Sequence, residues 1–229
     1  MTLDMHTVGA GSHRKDPIVI ADGCGYSKSK LLVPNHYRDE IENVLIPRGL
    51  LTDRIEKLAF DIRETYGDEP IHLLCVLKGS RGFFAELCAV LNRIHGYAGK
   101  HVNPPYVEHY IRIKSYHNTE STGVVQVISD DLSILEGKNV LVVEDIIDTG
   151  RTLNHFCKQL VALKPKSLKI ASLFEKRTPK SVGLRADFVG FDVPDVFIVG
   201  YSLDYNERYR DLNHLCVLTP ASVEKYAEA

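Results

Sequence analysis

The sequence predicts an α/β fold, a mainly parallel twisted sheet flanked by helices, with a small hood over the strand ends and a flexible lid hairpin. Three observations carry that expectation. Residues 140–143, Val-Leu-Val-Val, are an unbroken apolar run with three β-branched members, which reads as a strand covered on both faces, as inside a parallel sheet. Residues 71–77 repeat the pattern. Each run is followed by a polar, Gly-containing turn and then by apolar residues at helical spacing, the alternation that builds a sheet between layers of helices.

Composition bounds the function. At 229 residues, 44% hydrophobic and 25% charged, the chain has ordinary globular composition and can bury a core. A net charge of −2 and a pI near 6.5 argue against nucleic acid or an anionic membrane as partner, since either calls for a strongly basic face. No apolar run approaches the roughly 18 residues of a membrane span, and residues 1–16 lack the apolar centre of a signal peptide, so a cytoplasmic protein is expected. Cys24, Cys75, Cys88, Cys157 and Cys216 are odd in number and lack C-x-x-C spacing; they read as reduced, mostly buried thiols.

Residues 1–16 show no periodicity and read as a mobile tail before a single domain over 17–229, whose hood takes segments 17–47 and 187–229. Residues 18–20 and 31–33 are short apolar runs, His36 to Val44 reads as a short helix, and 44–46 as a small strand closed by Pro47. Thr52 is the expected N-cap of a helix in which Ile55, Leu58, Ala59, Ile62 and Tyr66 repeat until Gly67 stops it. After strand 71–77, Lys78-Gly79-Ser80-Arg81-Gly82 looks like an anion loop leading into a helix from Phe83 to about His95. Val107, His109, Ile111 and Ile113 alternate as in a half-covered strand. The polar stretch 115–123 reads as a mobile flap, and 124–128 returns as an antiparallel partner. A helix over 153–163 is stopped by Lys164-Pro165. Strand 167–174 follows, then apolar runs at 188–191 and 196–201, and residues 215–218 close the sheet.

The chemistry gathers after the 140–143 run, in Glu144-Asp145-Ile146-Ile147-Asp148-Thr149-Gly150-Arg151-Thr152. Thr149 and Thr152 offer hydroxyls, Gly150 lets the backbone turn its N–H groups inward, Arg151 adds a cation, and the helix start adds free donors and a dipole. Such a cradle suits a monophosphate. Glu144 and Asp145 would repel a phosphate directly, so they need another partner: the cis-diol of a ribose, or Mg²⁺ held through hydroxyls and water. A ribose 5-phosphate with its metal satisfies both halves. The order of these residues resembles the 5-phosphoribosyl-1-pyrophosphate motif of type I phosphoribosyltransferases.

The resemblance reaches from about residue 17 to the C-terminus and points to one branch of that family, the hypoxanthine-guanine enzymes of purine salvage. It includes L-C-V-L-K-G-S at 74–80, K-S-Y-H-N at 114–118, S-T-G at 121–123, E-K-R-T-P at 175–179, D-F-V-G-F at 187–191 and L-D-Y-N-E-R-Y-R-D-L-N-H at 203–214. It implies that Glu144 and Asp145 hold the ribose hydroxyls and Mg²⁺, and that residues 148–152 hold the 5-phosphate. It further implies that the peptide before Lys78 is cis, that Lys78, Gly79 and Arg210 face the pyrophosphate, and that Asp204 binds a second Mg²⁺. Ser115 and Tyr116 would belong to the lid, and Asp148 would be the general base for the purine N7 proton. Lys176, with three donors and no acceptor, would meet the 6-oxo group of hypoxanthine or guanine, Phe197 would stack on the ring and Ile198 would meet its edge. The partners implied are 5-phosphoribosyl-1-pyrophosphate, 6-oxopurine bases and a second or further copies of the chain, as homodimer or homotetramer.

Four positions depart from close relatives. Arg151 replaces a frequent lysine and keeps its charge. Ser80 is expected to stiffen the pyrophosphate loop, Glu175 to alter base preference from beside Lys176, and Val196 stands where lysine is common. The alternative function is a phosphoribosyltransferase-like regulator that binds nucleotide without catalysis. Retention of Asp148, Lys176 and Asp204 argues against it.

Overall fold

The computed structural model describes residues 14–98, 106–115, 125–128 and 131–227; most of the expected N-terminal tail lies outside them. The chain runs β1 (Ile18–Val19), β2 (Ile41–Ile46), α1 (Arg48–Tyr66), β3 (Ile71–Leu77), α2 (Arg81–Ala98), β4 (Tyr106–Ser115), β5 (Val125–Ile128), β6 (Asn139–Ile147), α3 (Arg151–Ala162), β7 (Ser167–Lys176), β8 (Phe188–Val193), β9 (Ile198–Val199), β10 (Leu215–Leu218) and α4 (Pro220–Lys225). Seven strands form one sheet in the order β1-β8-β7-β6-β3-β4-β5. The pairings are parallel except that β5 runs antiparallel to β4.

Strand β6 shows why the apolar run is unbroken. Leu141 and Val143 join the cluster packed by α1 and α2, while Val140 and Val142 join the one packed by α3. The layers follow from topology: β3 steps to β4 in one direction and β6 to β7 in the other, so crossovers of the same right hand put α2 and α3 on opposite faces. Helix α3 is 12 residues long, marginal as an isolated helix. Its buried Leu153, Phe156, Cys157 and Leu160 supply the difference, at about 1.5–3 kcal/mol per fully buried large apolar side chain. Where the strand order reverses, between β3 and β6, a crevice opens beyond the carboxyl ends, the usual ligand position in such sheets.

A second sheet, β2-β10-β9, stands over those strand ends. Residues 215–218 therefore do not close the main sheet but pair with β2 and β9, whereas β1 and β8, from segments assigned to the hood, lie in the main sheet. The helix expected over 36–44 is replaced by a 3₁₀ turn at Asn35–Tyr37 and by β2. Register shifts in the β2–β10 ladder space the buried residues Ile41, Val44, Leu45 and Ile46 unevenly, which imitates helical periodicity. Helix α1 begins at Arg48, before Thr52, with Pro47 at its N-cap and no side-chain cap of its own. Instead the Arg48 N–H donates to His214 Nδ1 at 2.9 Å, a cap supplied from the far end of the chain.

The second sheet is tied to α4 by Glu40, which accepts from Tyr209 Oη at 2.8 Å, Tyr226 Oη at 2.5 Å and Lys225 Nζ at 3.0 Å. Burial alone would raise the Glu40 carboxyl, but the hydrogen bonds from Tyr226, Lys225 and Tyr209 outweigh it and bring the pKa to about 2. A carboxyl depressed on folding stabilises above its unfolded pKa and loses that contribution as pH falls through the folded value. Glu40→Gln is therefore expected to lower Tm at pH 7 and to flatten the loss of Tm between about pH 5 and pH 2. Thermal melts of both proteins across that range check this; parallel curves would refute it.

Candidate active site

At the carboxyl end of β6 burial gives way and the two acids emerge side by side, half-buried. Burial pushes the Glu144 carboxyl well up and the adjacent Asp145 charge adds to it. Asp145 is also raised by burial, with partial relief from the Glu144 side chain, the Ile146 N–H at 2.7 Å and Arg210. Two crowded carboxyls of this kind are completed by cations or hydroxyl donors. The end of β3 approaches them so closely that a Cβ at Gly79 would overlap Asp145 Oδ2, so any larger residue there must displace the Asp145 carboxylate. The Leu77–Lys78 peptide is cis, as the resemblance implies. Ser80 is fully buried and its hydroxyl donates to the Val76 carbonyl, with Cys75 Sγ at 3.3 Å, so the extra hydroxyl braces the loop internally.

Residues 148–152 form the turn into α3. Gly150 has φ +76° and is the N-cap, a left-handed conformation that favours glycine. Thr149 Oγ1 accepts from Arg151 N at 3.4 Å. A cleft of about 260 Å³ lies above the turn, lined by Glu144, Asp148, Thr149, Gly150, Arg151 and Thr152 among others. Beside it a slot of about 170 Å³ is lined by Ile146, Asp148, Lys176, Phe197, Ile198, Leu203 and Asp204. Lys176 Nζ stands 3.2 Å from Asp148 Oδ2 and 3.9 Å from Asp195 Oδ1. Phe197 is 39% exposed and meets Tyr205 edge-on at 4.6 Å; Ile198 is fixed by the pairing of β9 with β10.

On the other side of the crevice Arg210 donates to the Ser202 carbonyl at 2.9 Å, pairs with Asp204 Oδ1 at 2.8 Å and reaches Glu207 Oε1 at 3.2 Å. Glu207 also binds Lys78 Nζ at 2.9 Å, and hydrogen bonds from Lys78 and Arg210 lower its carboxyl. Glu207 thus holds together the two cations assigned to pyrophosphate. Being exposed, the pair with Lys78 contributes little, so an anionic ligand can take over the lysine. Glu207 was missed in the sequence because one acid in a polar stretch carries no periodic signal. It sits in a run of non-glycine residues with positive φ, Tyr201, Ser202, Asn206, Glu207 and Tyr209, a concentration of strained backbone that tends to mark a site.

Of the expected lid, Ser115 ends β4 opposite Val125; Tyr116 and the rest of the flap lie outside the described residues. Glu175 does not line the slot that holds Lys176. It points to the opposite face from Lys176, as consecutive strand residues do, and is 2% exposed. There it accepts from Arg14 Nη1 at 2.7 Å, Ala186 N at 2.6 Å and Arg185 Nη1 at 3.0 Å. Its carboxylate is thus turned away from the Lys176 slot. Among the described residues no group of three or more His, Cys, Asp or Glu is gathered to hold a metal on its own.

An open α/β sheet with an acid pair and a Thr-Gly-Arg-Thr turn beyond its central strand defines a phosphoribosyl-binding domain, and the family model for the phosphoribosyl transferase domain matches residues 47–206. The chain is 51% identical to the hypoxanthine-guanine-xanthine phosphoribosyltransferase of Plasmodium falciparum, covering 95% of each. It is 48% identical to the human hypoxanthine-guanine phosphoribosyltransferase over 93% of this chain and 98% of that one. The crystal structure of the hypoxanthine-guanine phosphoribosyltransferase of Schistosoma mansoni in complex with IMP superposes with a TM-score of 0.76 at 36% identity, covering 93% of this chain and 100% of that one. The chain belongs to the phosphoribosyltransferase family, in its hypoxanthine-guanine branch.

Gly79→Ala is expected to leave a folded protein whose activity falls by about 10²-fold, since its Cβ must displace the Asp145 carboxylate or the loop. Steady-state kinetics with a parallel melt check this, and full activity would show that the approach of β3 to Asp145 is dispensable.

Proposed function

We propose that the protein transfers the 5-phosphoribosyl group of 5-phosphoribosyl-1-pyrophosphate to hypoxanthine or guanine, yielding IMP or GMP and pyrophosphate in purine salvage. The observation that carries this reading is the placement of Asp148 and Lys176, 3.2 Å apart, in one slot that shares Ile146 and Asp148 with the cleft lined by Glu144 and the phosphate-type turn. The names of the relatives support it, and they give no support to the non-catalytic alternative.

The residues divide the donor between them. Thr149, Gly150, Arg151 and Thr152 bind the 5-phosphate through hydroxyls, backbone N–H groups and charge. Glu144 and Asp145 accept hydrogen bonds from the ribose hydroxyls, and their crowded oxygens suit Mg²⁺, which takes one or two carboxylates and completes its shell with water and substrate oxygens. Asp204, whose Oδ1 pairs with Arg210 at 2.8 Å, would hold a second Mg²⁺ in competition with that guanidinium. When bound, Mg²⁺ neutralises charge on the departing pyrophosphate. Lys78, the Gly79 backbone and Arg210 hold the same group as it leaves.

The purine takes the slot. Lys176 donates to the 6-oxo group, where the 6-amino group of adenine would meet a donor with a donor. Phe197 offers its exposed ring face for stacking, and Ile198 meets the purine edge through its backbone. Asp148 accepts the N7 proton as the purine nitrogen attacks the anomeric carbon, and the C–N bond forms while the bond to pyrophosphate breaks. The reading carries with it a cytoplasmic homodimer or homotetramer. No helix among the described residues is long and apolar enough to cross a membrane.

Asp148→Asn is expected to lower kcat by roughly 10²–10⁴-fold, the usual worth of general acid–base help, with a smaller effect on donor KM. Lys176→Gln is expected to weaken hypoxanthine and guanine use and narrow the gap to adenine by about 1–3 kcal/mol. Values of kcat/KM for hypoxanthine, guanine, xanthine and adenine in the wild type and both variants test the assignment. An unchanged oxo-over-amino preference in Lys176→Gln would overturn it. In the same assay Glu144→Ala combined with Asp145→Ala should abolish Mg²⁺-dependent turnover; undiminished activity in that folded variant would remove the donor site from the end of β6.

A further inference from the structure

The residues on either side of Lys176 are held by ionic networks that the proposed chemistry does not use. Glu175, almost fully buried, gathers Arg14 from the N-terminal segment and both Arg185 and the Ala186 N–H from the loop that leads to β8. Arg14 also reaches the Ala186 carbonyl at 3.4 Å. One residue beyond the lysine, Arg177 N donates to the Val193 carbonyl at 2.9 Å, and its guanidinium binds Asp192 Oδ1 at 2.5 Å, Asp22 Oδ1 at 2.6 Å and the Ile20 carbonyl at 2.7 Å. The last turn of the pleat in β7 is thereby clamped from three separate segments of chain.

A lysine ammonium is a point charge on a flexible four-carbon stem, so its aim depends on the backbone that carries it. On a strand, neighbouring side chains point to opposite faces. Any roll of the end of β7 that re-aimed Lys176 would pull the Glu175 carboxylate away from its three donors in a site almost closed to water, where broken charged hydrogen bonds are costly. We infer that Glu175 is a positioning residue for the purine site, acting through Lys176 from the opposite face of β7, with Arg14 and Arg185 as its anchors. This rests on the assignment of Lys176 to the 6-oxo group. It makes a buried ion cluster the support of base recognition.

The test compares Glu175→Gln, Lys176→Gln and the double variant in the full chain. It measures kcat and KM for hypoxanthine, guanine, adenine and 5-phosphoribosyl-1-pyrophosphate, together with Tm. Glu175→Gln keeps the shape but turns an amide donor toward one of its arginines. It is expected to raise the KM for 6-oxopurines roughly tenfold and narrow the oxo-over-amino preference, with kcat and donor KM little changed. In the Lys176→Gln background the same change should leave that preference where Lys176→Gln alone puts it. Unaltered purine KM in folded Glu175→Gln would overturn the inference, as would an equal effect with and without Lys176, or a fall in kcat with a parallel rise in donor KM. If Lys176→Gln narrows the preference and Glu175→Gln does not, only the positioning role fails; if Lys176→Gln itself has no effect, both fail. Should Glu175→Gln not fold, Arg185→Gln, at a side chain 49% exposed, is read against the same outcomes.

Discussion

Because Val140, Leu141, Val142 and Val143 are all 0% exposed, strand β6 has to be covered on both faces, and the positions of the other elements follow from that requirement. A strand with one polar face could have ended an antiparallel sheet. This one admits only neighbours on both sides and helices above and below. With helices on both faces and crossovers of one hand, the strand order must reverse somewhere, and it does so between β3 and β6. Groups at the carboxyl ends of those two strands then face one another across a crevice. The acid pair and the Lys78 loop are those groups.

That crevice contains more charge than the chain's near-neutral total suggests. Three of its cations are held by carboxylates: Lys78 by Glu207, Lys176 by Asp148, and Arg210 by Asp204 and Glu207. Lys176 and Arg210 are 13% and 21% exposed, so losing a partner costs more there than at the exposed Lys78, and the pairs fix where each cation points. The same carboxylates are suited to a second task, Asp148 toward a proton and Asp204 toward a metal. A polyanionic ligand that takes over Lys78 and Arg210 leaves Glu207, 64% exposed, to be solvated by water at little cost.

Much of this was readable in the sequence, and the failures have physical causes. Strands 71–77 and 215–218 match the observed bounds because each is a short apolar run bounded by polar or turn residues. The stretch from His36 to Val44 misled because a bulged ladder spaces buried residues as a helix does. The early start of α1 depends on His214, more than 160 positions away, and no local pattern can announce it. The acid pair, Asp148 and the turn after it were legible because one strand end carries them all in order. Glu207 and Asp195 were not, since each matters only through a partner brought in by the fold. Glu175 stands out in the sequence as the neighbour of Lys176, but its face is not legible there, because the apolar run suggests a strand that stops at Phe174 whereas β7 runs to Lys176 and sets consecutive residues on opposite faces.

The register between β6 and β7 explains why Asp148 and Lys176 meet. The two strands pair in parallel from Asn139 with Ser167 to Ile147 with Glu175, and Asp148 and Lys176, separated by the same 28 positions, are the next step along that ladder. A slip of one residue would turn Lys176 to the face where Glu175 now lies and would set the buried carboxylate in the slot beside Asp148. The apolar alternation of β7 opposes such a slip, since Leu168 and Ile170 belong to one cluster and Ala171 and Leu173 to the other. The distance between the group assigned to N7 and the group assigned to the 6-oxo oxygen is thus set by core packing several residues away. Discrimination between purines, on this view, is a property of strand register before it is a property of any single side chain.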